Sequence, residues 1–258
     1  MSFFYKLKIQ YDGSNYCGWQ IQSGPEKTIQ GELNKALIKI SNDKELVSIG
    51  SGRTDSKVHA MGQIVRVETS LDIESEALRK GLNSLLPKDI VIISSEKSDS
   101  SFHPIFSAKK KTYKYQFGTD KIINPLLRNQ VALFPYKLDI DLIEEGCKIF
   151  LGEHDFRNYQ CKGTEVSSTV RNISKFNIDR LNNPSLFGEE FEVDLYCFEI
   201  EGNGFLKQMV RLMVGALIEL GKGKISLRDI ENSLKNPSVN KLGPTAPANG
   251  LCLVSVDY

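Results

Sequence analysis

Apolar residues recur in this chain with two different periods, and the succession of these periods restricts the fold more than any other feature. In segments such as Phe3–Tyr11 they recur at nearly every second residue, which is typical of a strand with one buried face. In residues 29–40 they recur every third or fourth residue, which predicts an amphipathic helix with Thr28 as its N-cap. No apolar stretch reaches the roughly 18 residues needed to span a membrane.

The same two patterns follow one another along the whole chain. Further strands are predicted at residues 45–50, 63–68, 89–94, 107–117, 191–200 and 250–258, and further helices at residues 74–86, 139–151 and 205–220 and after a capping box at Ser226. Single helices between short strands favour an α+β fold. We therefore predict two similar α+β halves that share a mostly antiparallel central sheet, with helices packed on it. The polar segment at 94–101 separates them into residues 1–100 and 101–258.

Cysteine and histidine usage gives no indication of disulfides or of a metal site. The five cysteines are scattered without a CxxC pair, and the three histidines lie far apart. We therefore expect free thiols, no metal and a cytoplasmic location. No Walker loop, GxGxxG or HExxH motif is present, so the sequence does not indicate a nucleotide cofactor.

The net charge conceals a strong local segregation of charge. Lys and Arg number 33 and Asp and Glu number 32, which gives +1 at pH 7 and excludes a uniformly basic coat. Residues 105–130 and 202–228 are nonetheless strongly basic, whereas residues 189–201 contain six acidic residues and no Lys or Arg. This pattern is compatible with a local basic cleft for RNA.

A glycine-containing loop at residues 50–60, between two predicted strands, is the first candidate site. Its sequence, GSGRTDSKVHA, contains Arg53 and Asp55. Loops on rigid scaffolds are favoured places for catalysis. The alternative is that Asp55 only caps the backbone N–H groups of a turn, and the residues alone leave both interpretations open.

Two further segments carry cations in unusual settings. Arg211 lies inside the most apolar predicted helix, so it either pairs with a buried acceptor or extends its long side chain to water. The second segment begins with Lys109, Lys110 and Lys111. It runs into a strand with alternating aromatic residues, beginning at Tyr113, which suits phosphate neutralisation beside base stacking. The alternative is an edge strand whose lysines prevent aggregation.

These segments together resemble the TruA-type tRNA pseudouridine synthases, nearly from end to end. The loop motif GRTDSKVHA at 52–60 is similar to the family's catalytic loop, and FHPIFSA at 102–108 followed by KTYKY is similar to its central segment. The other matching motifs are YDG at 11–13, GWQ at 18–20, HDF at 154–156, GNGF at 202–205, MVR at 209–211 and APANGL at 246–251. Each motif is weak alone, but their order along the whole chain argues against chance.

The resemblance implies the pseudouridine synthase fold and an isomerisation of uridine to pseudouridine in the anticodon stem–loop of tRNA, at position 38, 39 or 40. The bond between C1′ and N1 breaks, the uracil rotates, and C5 joins C1′. No atom is gained or lost, so no cofactor is required. A base inside a stem must leave the stack before this chemistry can occur. The resemblance also implies a homodimer with tRNA as its partner and no association with a membrane.

Motif position within the family implies the roles of the catalytic residues. Asp55 corresponds to the catalytic aspartate, acting as nucleophile at C1′ or as base at C2′. Arg211 corresponds to the basic residue that forms an ion pair with it, and Tyr113 to the tyrosine that stacks on the target base. These roles agree with the physical chemistry, because an aspartate must be ionised to attack or to accept a proton and a neighbouring cation favours that form.

The expected substrate-binding residues and the departures from the family pattern complete the prediction. Arg53 would hold the displaced nucleotide and Leu251 would line the base pocket, and the full set expected to bind substrate is Arg53, Leu251, Lys111, Lys109 and Lys110.

The chain has Ser56-Lys57 where the family has Ala-Gly, Lys111 where many members have Arg, and Leu212 in place of a frequent Asn. If the family's Gly has a positive φ, Lys57 would cost about 1 kcal/mol there, unless the loop differs in shape.

Three alternatives to this function remain open at the level of the sequence. One is a TruA paralogue that acts on another RNA. A second is a non-catalytic RNA-binding module, with which the basic aromatic strand is equally compatible. A nucleoside or glycoside hydrolase is the third, but it would require a second carboxylate about 5–10 Å from the first, and the loop motif supplies only one carboxylate in all.

Overall fold

The computed structural model describes residues 2–163, 166–181, 193–238 and 240–258, and the backbone alone of residues 185–186 and 189–190. The regular elements of these residues are, in chain order, β1 (Phe3–Tyr11), α1 (Ile29–Ser41), β2 (Val47–Gly50), β3 (His59–Thr69), α2 (Ser75–Leu85), β4 (Ile90–Lys97), β5 (Lys110–Gly118), β6 (Ala132–Leu133), α3 (Ile140–Ile149), β7 (Gly152–Asp155), β8 (Val170–Arg180), β9 (Ser185–Leu186), β10 (Glu189–Glu190), β11 (Leu195–Gly202), α4 (Met209–Gly221), α5 (Leu227–Lys235) and β12 (Leu251–Asp257).

The chain folds into two compact units. Unit 1 comprises Met1–Lys109 together with Cys252–Tyr258, and unit 2 comprises Lys110–Leu251. Unit 1 therefore extends nine residues beyond the boundary expected at residue 100 and takes in the end of the chain as well. The division into domains at residues 1–100 and 101–258 stays a prediction.

Unit 1 is a sheet with strand order β4-β1-β3-β12, and β2 also pairs with β3. β1 is antiparallel to β3 and to β4, and β2 is antiparallel to β3. β12 is parallel to β3, with Cys252 opposite His59 and Leu253 opposite Ala60. β2 pairs with residues 65–68 of β3, so β2 and β12 contact different ends of the same strand. The intervening stretch of β3 is where the loop after β2 lies.

The helices of unit 1 begin where the sequence provides caps. Thr28 caps α1 by accepting a hydrogen bond from the Gly31 amide, and Glu74 caps α2 through the Ala77 amide. α1 buries an apolar face that includes Leu33 and Leu37, and α2 packs against α1 and β4. Burial of these apolar faces stabilises both helices more than their intrinsic propensity does.

Unit 2 contains sheet strands in the order β5-β11-β8-β7, and β6 is parallel to β5. The pairs β5–β11, β11–β8 and β8–β7 are antiparallel. On one face of this sheet a row of aromatic rings runs from Phe117 through Phe198 and Phe176 to Phe150, with centroids 5.3–5.7 Å apart. The strand pairs described within the two units are antiparallel except β12 with β3 and β5 with β6, which confirms the predicted α+β class with mostly antiparallel pairing.

Several elements of unit 2 differ from the pattern expected from the sequence. β7 and β8 were not expected at all. α4 begins at Met209 rather than at residue 205, because Gln208 has a left-handed backbone (φ 64°) that interrupts the helix. β11 begins at Leu195, and residues 191–192 of the expected strand lie outside the described residues.

The basic and acidic segments of the sequence pair with each other across the sheet of unit 2. Lys110 Nζ lies 3.1 Å from Glu201 Oε2, and Lys114 Nζ lies 3.5 Å from Glu199 Oε2. Lys175 of β8 contacts the same Glu199 carboxylate at 2.7 Å. Part of the segregated charge is therefore neutralised locally between neighbouring strands.

The helices that the structure describes include none that is long and apolar enough to cross a lipid bilayer.

Candidate active site

The loop of residues 51–58 joins β2 to β3 and is fixed to β3 by three hydrogen bonds. The Ser51 amide donates to the Ile64 carbonyl oxygen at 2.7 Å. Ser51 Oγ donates to Gln63 Oε1 at 2.7 Å, and Gln63 Nε2 donates to the Gly52 carbonyl oxygen at 2.7 Å. Ser51 and Gln63 are fully buried, so these bonds are shielded from water. The first half of the loop is therefore rigid.

The middle of the loop is held by β1 and by the turn that follows it. Tyr11 Oη and Thr54 Oγ1 share a buried hydrogen bond of 2.8 Å, and the Trp19 amide donates to the Thr54 carbonyl oxygen at 3.1 Å. Trp19 is 1% exposed and packs against the loop's start, where a Cβ on Gly50 would lie 2.6 Å from its ring. Trp19 is thus a core residue, and its packing supports the loop.

Asp55 follows Thr54 directly and is half-buried, whereas Arg53 is exposed. The carbonyl oxygen of Asp55 accepts a hydrogen bond from the Val58 amide at 3.2 Å, which closes a turn of the backbone. Anchors on both sides place the Asp55 carboxyl group on a fixed backbone, as catalysis requires.

Lys57 has a left-handed backbone (φ 66°), which is the strained alternative considered for a residue other than glycine at this position. The Lys57 amide donates to the Tyr16 carbonyl oxygen at 3.1 Å, and Ser56 Oγ donates to the same oxygen at 3.2 Å. Two hydrogen bonds thus maintain a conformation that costs a non-glycine residue about 1 kcal/mol.

We expect Lys57→Gly to raise the free energy of unfolding by up to about 1 kcal/mol, because relief of the strain exceeds the entropy that glycine loses on folding. Chemical denaturation at equilibrium measures the change. Ser56→Gly is the matched control, because Ser56 lies outside the left-handed region and should lose stability instead. Equal destabilisation by both substitutions would contradict the strain at Lys57.

Tyr113 and its neighbours occupy β5 in unit 2. Tyr113 pairs with Ile200 of β11 and packs edge-on against the Phe205 ring, with centroids 5.1 Å apart and an interplanar angle of 81°. It is 7% exposed. The ring is therefore held in one orientation by its neighbours, and its stacking on a base stays a prediction.

The three lysines that lead into β5 have different environments. Lys109 belongs to unit 1 and is exposed, and its amide donates to the Asp257 carbonyl oxygen at 2.8 Å. Lys110 is paired with Glu201, as described above. Lys111 is 8% exposed, and burial, reinforced by the Arg171 guanidinium, lowers the pKa of Lys111 to about 8.

The lowered pKa of Lys111 predicts opposite pH effects on binding and on stability. As pH rises from 7 to 9, Lys111 loses its charge, and the apparent KM for tRNA should rise about tenfold if this charge binds a phosphate. The unfolded chain retains that proton up to about pH 10.4. Between pH 8 and about 10.4 the folded chain therefore binds fewer protons than the unfolded chain, and the free energy of unfolding should rise with pH.

Lys111→Arg is the control for both effects, because arginine keeps its charge throughout this range. Steady-state kinetics and thermal melting of the two proteins from pH 7 to 10 make the comparison. A KM for wild-type protein that follows that of Lys111→Arg at every pH would contradict a charged Lys111 in substrate binding.

Arg211 lies on α4, a helix in which eleven of thirteen residues are buried. Arg211 is half-buried, and its Nε donates to the Ala246 carbonyl oxygen at 2.8 Å. The Ala246 amide in turn donates to the Arg211 carbonyl oxygen at 3.1 Å. This reciprocal pair fixes the direction of the guanidinium group, so Arg211 does not simply extend into water. Its expected ion pair with Asp55 stays a prediction.

Leu251 follows a short 3₁₀ turn, Ala248–Gly250, and is 5% exposed. The turn is tied down by Asn249, whose Nδ2 donates to the carbonyl oxygens of Arg128 (2.9 Å) and Val131 (2.8 Å). Gly250 has no room for a Cβ, which would lie 2.5 Å from the Gln116 carbonyl oxygen. Leu251 therefore has a fixed position in unit 2, consistent with the wall of a pocket.

The predicted residues fall into two groups. Arg53, Asp55 and Lys109 belong to unit 1, and Lys110, Lys111, Tyr113, Arg211 and Leu251 belong to unit 2. Among the described residues, no cluster of three or more His, Cys, Asp and Glu side chains is arranged to hold a metal ion.

Sequence reasoning missed the residues that position the loop and the tyrosine. Gln63 and Thr54 act through hydrogen bonds across folded segments, and Phe205 acts through a ring contact with Tyr113. The separations of these partners in sequence follow no local period, so only the folded chain identifies them.

Comparison with known proteins gives the family of this chain. A family model described as tRNA pseudouridine synthase matches residues 8–107 and 147–258. The tRNA pseudouridine synthase A of Leuconostoc mesenteroides subsp. mesenteroides is 38% identical over 260 residues, covering 98% of each chain. That of Pseudothermotoga lettingae is 38% identical over 250 residues, covering 97% of each chain. The chain belongs to the tRNA pseudouridine synthase family, and the predicted enzyme class, an isomerase, is confirmed.

Among solved structures, the chain is similar to one in the crystal structure of a Cbf5-Nop10-Gar1 complex, with 12% identity and a TM-score of 0.35. The match covers 96% of this chain and 48% of the other. The family assignment rests on the sequence matches and is independent of this one.

Proposed function

We propose that the chain isomerises uridine to pseudouridine in the anticodon stem–loop of tRNA, at position 38, 39 or 40, with Asp55 as the catalytic carboxylate. The observation that carries this proposal is the fixed loop around Asp55. Its sequence is similar to the family's catalytic motif, and buried hydrogen bonds of Ser51, Thr54 and Gln63 hold the segment that leads into the turn. A loop with only a connecting role would not need such anchoring.

The reaction requires a carboxylate that can reach C1′ or C2′ of the ribose. Asp55 either attacks C1′ as the C1′–N1 bond breaks, or removes the proton from C2′. The freed uracil then rotates and C5 bonds to C1′. In the first route this displaces the Asp55 carboxylate from C1′, and in the second Asp55 returns the proton to C2′. The proton on C5 is lost while N1 gains one. Either route requires a carboxylate held within reach of the sugar, which a rigid loop provides at little entropic cost.

The remaining roles follow from the family motif and agree with the local geometry of each residue. Tyr113, restrained by Phe205, would stack on the target base. Arg211, with its Nε held by Ala246, would serve the Asp55 carboxylate as a cation of fixed direction. Arg53 is exposed on the loop and would replace the pairing that the displaced nucleotide loses.

We also propose a cytoplasmic homodimer. The family resemblance supports the dimer, and the five free thiols support a reducing compartment. Size-exclusion chromatography with light scattering tests the dimer directly, and a monomer at micromolar concentration would overturn that part of the proposal.

The proposed function is tested by incubating the protein with unmodified tRNA transcripts and mapping pseudouridine by carbodiimide treatment and primer extension. We expect new stops at positions 38–40. Modification confined to another RNA would identify a paralogue with a different substrate. Tight tRNA binding with every uridine unchanged would identify a non-catalytic RNA-binding module.

A further inference from the structure

The segment of residues 102–108 in unit 1 exposes an aromatic ring to solvent. Phe106 is 83% exposed, and the neighbouring Ile105 is 45% exposed. Exposed apolar side chains are common singly, but a phenylalanine that is almost completely exposed contributes little burial to the folded state. The stability of the fold therefore does not explain why this position carries an aromatic ring.

The loop that carries Phe106 is rigid. The Ser107 amide donates to the His103 carbonyl oxygen at 2.9 Å, and the His103 amide donates to Ser107 Oγ at 3.2 Å. His103 Nδ1 accepts hydrogen bonds from the amides of Ile105 (3.2 Å) and Phe106 (3.4 Å). Because Nδ1 accepts, the imidazole proton lies on Nε2. One backbone bond, the Ser107 hydroxyl and the His103 imidazole thus fix the turn from inside.

The base of the loop is anchored to the end of the chain. Tyr258 Oη donates to the Pro104 carbonyl oxygen at 2.9 Å, and the Tyr258 ring packs edge-on against Phe102 with centroids 5.0 Å apart. Lys6 Nζ lies over both rings, 5.5 Å from the centroid of Phe102 and 5.2 Å from that of Tyr258. The loop is therefore fixed to β1 and β12.

One face of the Phe106 ring is covered and the other is open. The His103 imidazole stacks on the ring with centroids 4.3 Å apart and an interplanar angle of 30°. Although His103 covers one face of the ring, 83% of Phe106 remains exposed to solvent. The opposite face of the ring is therefore free to receive another flat group. A preordered ring with one open face is the geometry on which an unpaired base stacks.

The adjacent charge favours RNA over protein as the occupant. The loop leads directly into Lys109, which is exposed and whose amide is fixed to β12. An aromatic face beside a cation matches the alternation of base and phosphate in a nucleic acid. A specific protein partner would require about 800 Å² of surface on each side, whereas a base requires a single ring.

We propose that Phe106 is a stacking site for an unpaired base of the bound tRNA, outside the target nucleotide, with His103 as the residue that positions the ring. This inference rests on the proposed function only in taking tRNA as the ligand. The loop would bind the substrate and would take no part in the chemical step.

Kinetics of Phe106 variants on unmodified tRNA transcripts test the site. Phe106→Ala and Phe106→Leu should raise KM for tRNA about 5- to 140-fold with kcat at saturation unchanged, since one stacked base contributes about 1–3 kcal/mol and each 1.4 kcal/mol is tenfold. Phe106→Trp should retain the wild-type KM. Ile122→Ala is the matched control, because Ile122 is equally exposed, at 82%, but is not aromatic.

Tryptophan fluorescence can detect stacking of a base on residue 106 independently of catalysis. The chain has one tryptophan, Trp19, which is 1% exposed, so its emission should not respond to RNA. In Phe106→Trp, addition of the tRNA transcript should quench the new emission, and the wild-type protein provides the baseline. Quenching without formation of pseudouridine would support the stacking site while overturning the proposed function.

Three outcomes would overturn the stacking site. The first is a wild-type KM for Phe106→Leu, and the second is emission of Phe106→Trp that does not respond to tRNA. The third is a change of oligomeric state in Phe106→Ala by light scattering, which would place a second copy of the chain on the ring. Because Phe106 is exposed, its substitutions should leave the melting temperature nearly unchanged.

Discussion

Asp55→Asn is expected to reduce pseudouridine formation by about 10³-fold or more and to leave tRNA binding intact. The substitution keeps the size of the side chain but removes the charge that either route of the reaction requires. The loop should keep its shape, because its anchors come from Ser51, Thr54 and Gln63. Single-turnover kinetics with a radiolabelled transcript measure the rate, and filter binding measures the affinity.

Asp89→Asn is the matched control for this substitution. Asp89 is also a half-buried aspartate of unit 1, and its Oδ1 accepts a hydrogen bond of 2.5 Å from Tyr16 Oη. An asparagine can accept the same bond, so this variant should retain activity. An Asp55→Asn protein with wild-type rate would refute the catalytic role of Asp55, and loss of tRNA binding in that variant would indicate a role in substrate recognition.

Gly18→Ala is expected to lower kcat by about 100-fold and the free energy of unfolding by about 2–3 kcal/mol. Gly18 has φ 97°, and a Cβ there would lie 2.6 Å from the Thr54 carbonyl oxygen and 3.1 Å from the Asp55 carbonyl carbon. These are backbone atoms, so the loop must move. A displacement of about 1 Å in a catalytic group can cost 100-fold in rate, and left-handed strain adds to the loss of stability.

Gly223→Ala separates these two effects. Gly223 has a similar backbone (φ 69°), but a Cβ there would meet no atom within 4 Å. This variant should lose about 1 kcal/mol of stability and keep the wild-type kcat. Equal kcat values for the two variants, measured at a temperature where both are folded, would contradict the positioning of Asp55 by the turn at Gly18.

The elements that the sequence predicts well are those in which one face is consistently buried. β1 was predicted to the residue, because Tyr5, Leu7 and Ile9 are fully buried while the intervening residues are not. The capping box at Ser226 is also confirmed, since both of its hydrogen bonds join residues three apart. Local patterns of this kind require no knowledge of distant contacts.

β8 was missed because its burial leaves almost no periodic signal. Of its eleven residues, only Ile173 and Phe176 are buried, and they are three residues apart, as in a helix rather than a strand. Its place in the sheet comes from pairing with β11 and β7. Pairing partners so far apart in sequence cannot be identified from a local pattern.

The candidate site likewise combines features that the sequence predicts with features that only the folded chain shows. The loop around Asp55 was found through its motif, but whether Lys57 has a left-handed backbone was left open until the structure gave its φ of 66°. The support that Gln63 and Tyr11 give to the loop was not anticipated, because in the sequence both residues belong only to strands. The roles of Asp55, Tyr113 and Arg211 stay predictions until their variants are measured.

The position of β12 in the chain has a consequence for synthesis on the ribosome. Unit 1 needs Cys252–Tyr258 to complete its sheet, but these residues follow the whole of unit 2. At 5–20 residues per second, the nascent unit 1 waits on the order of ten seconds with the edge of β3 that pairs with β12, at His59 and Ala60, still open. An open strand edge is a template for misassembly, so the nascent chain should be most exposed to aggregation, and most dependent on chaperones, during that interval.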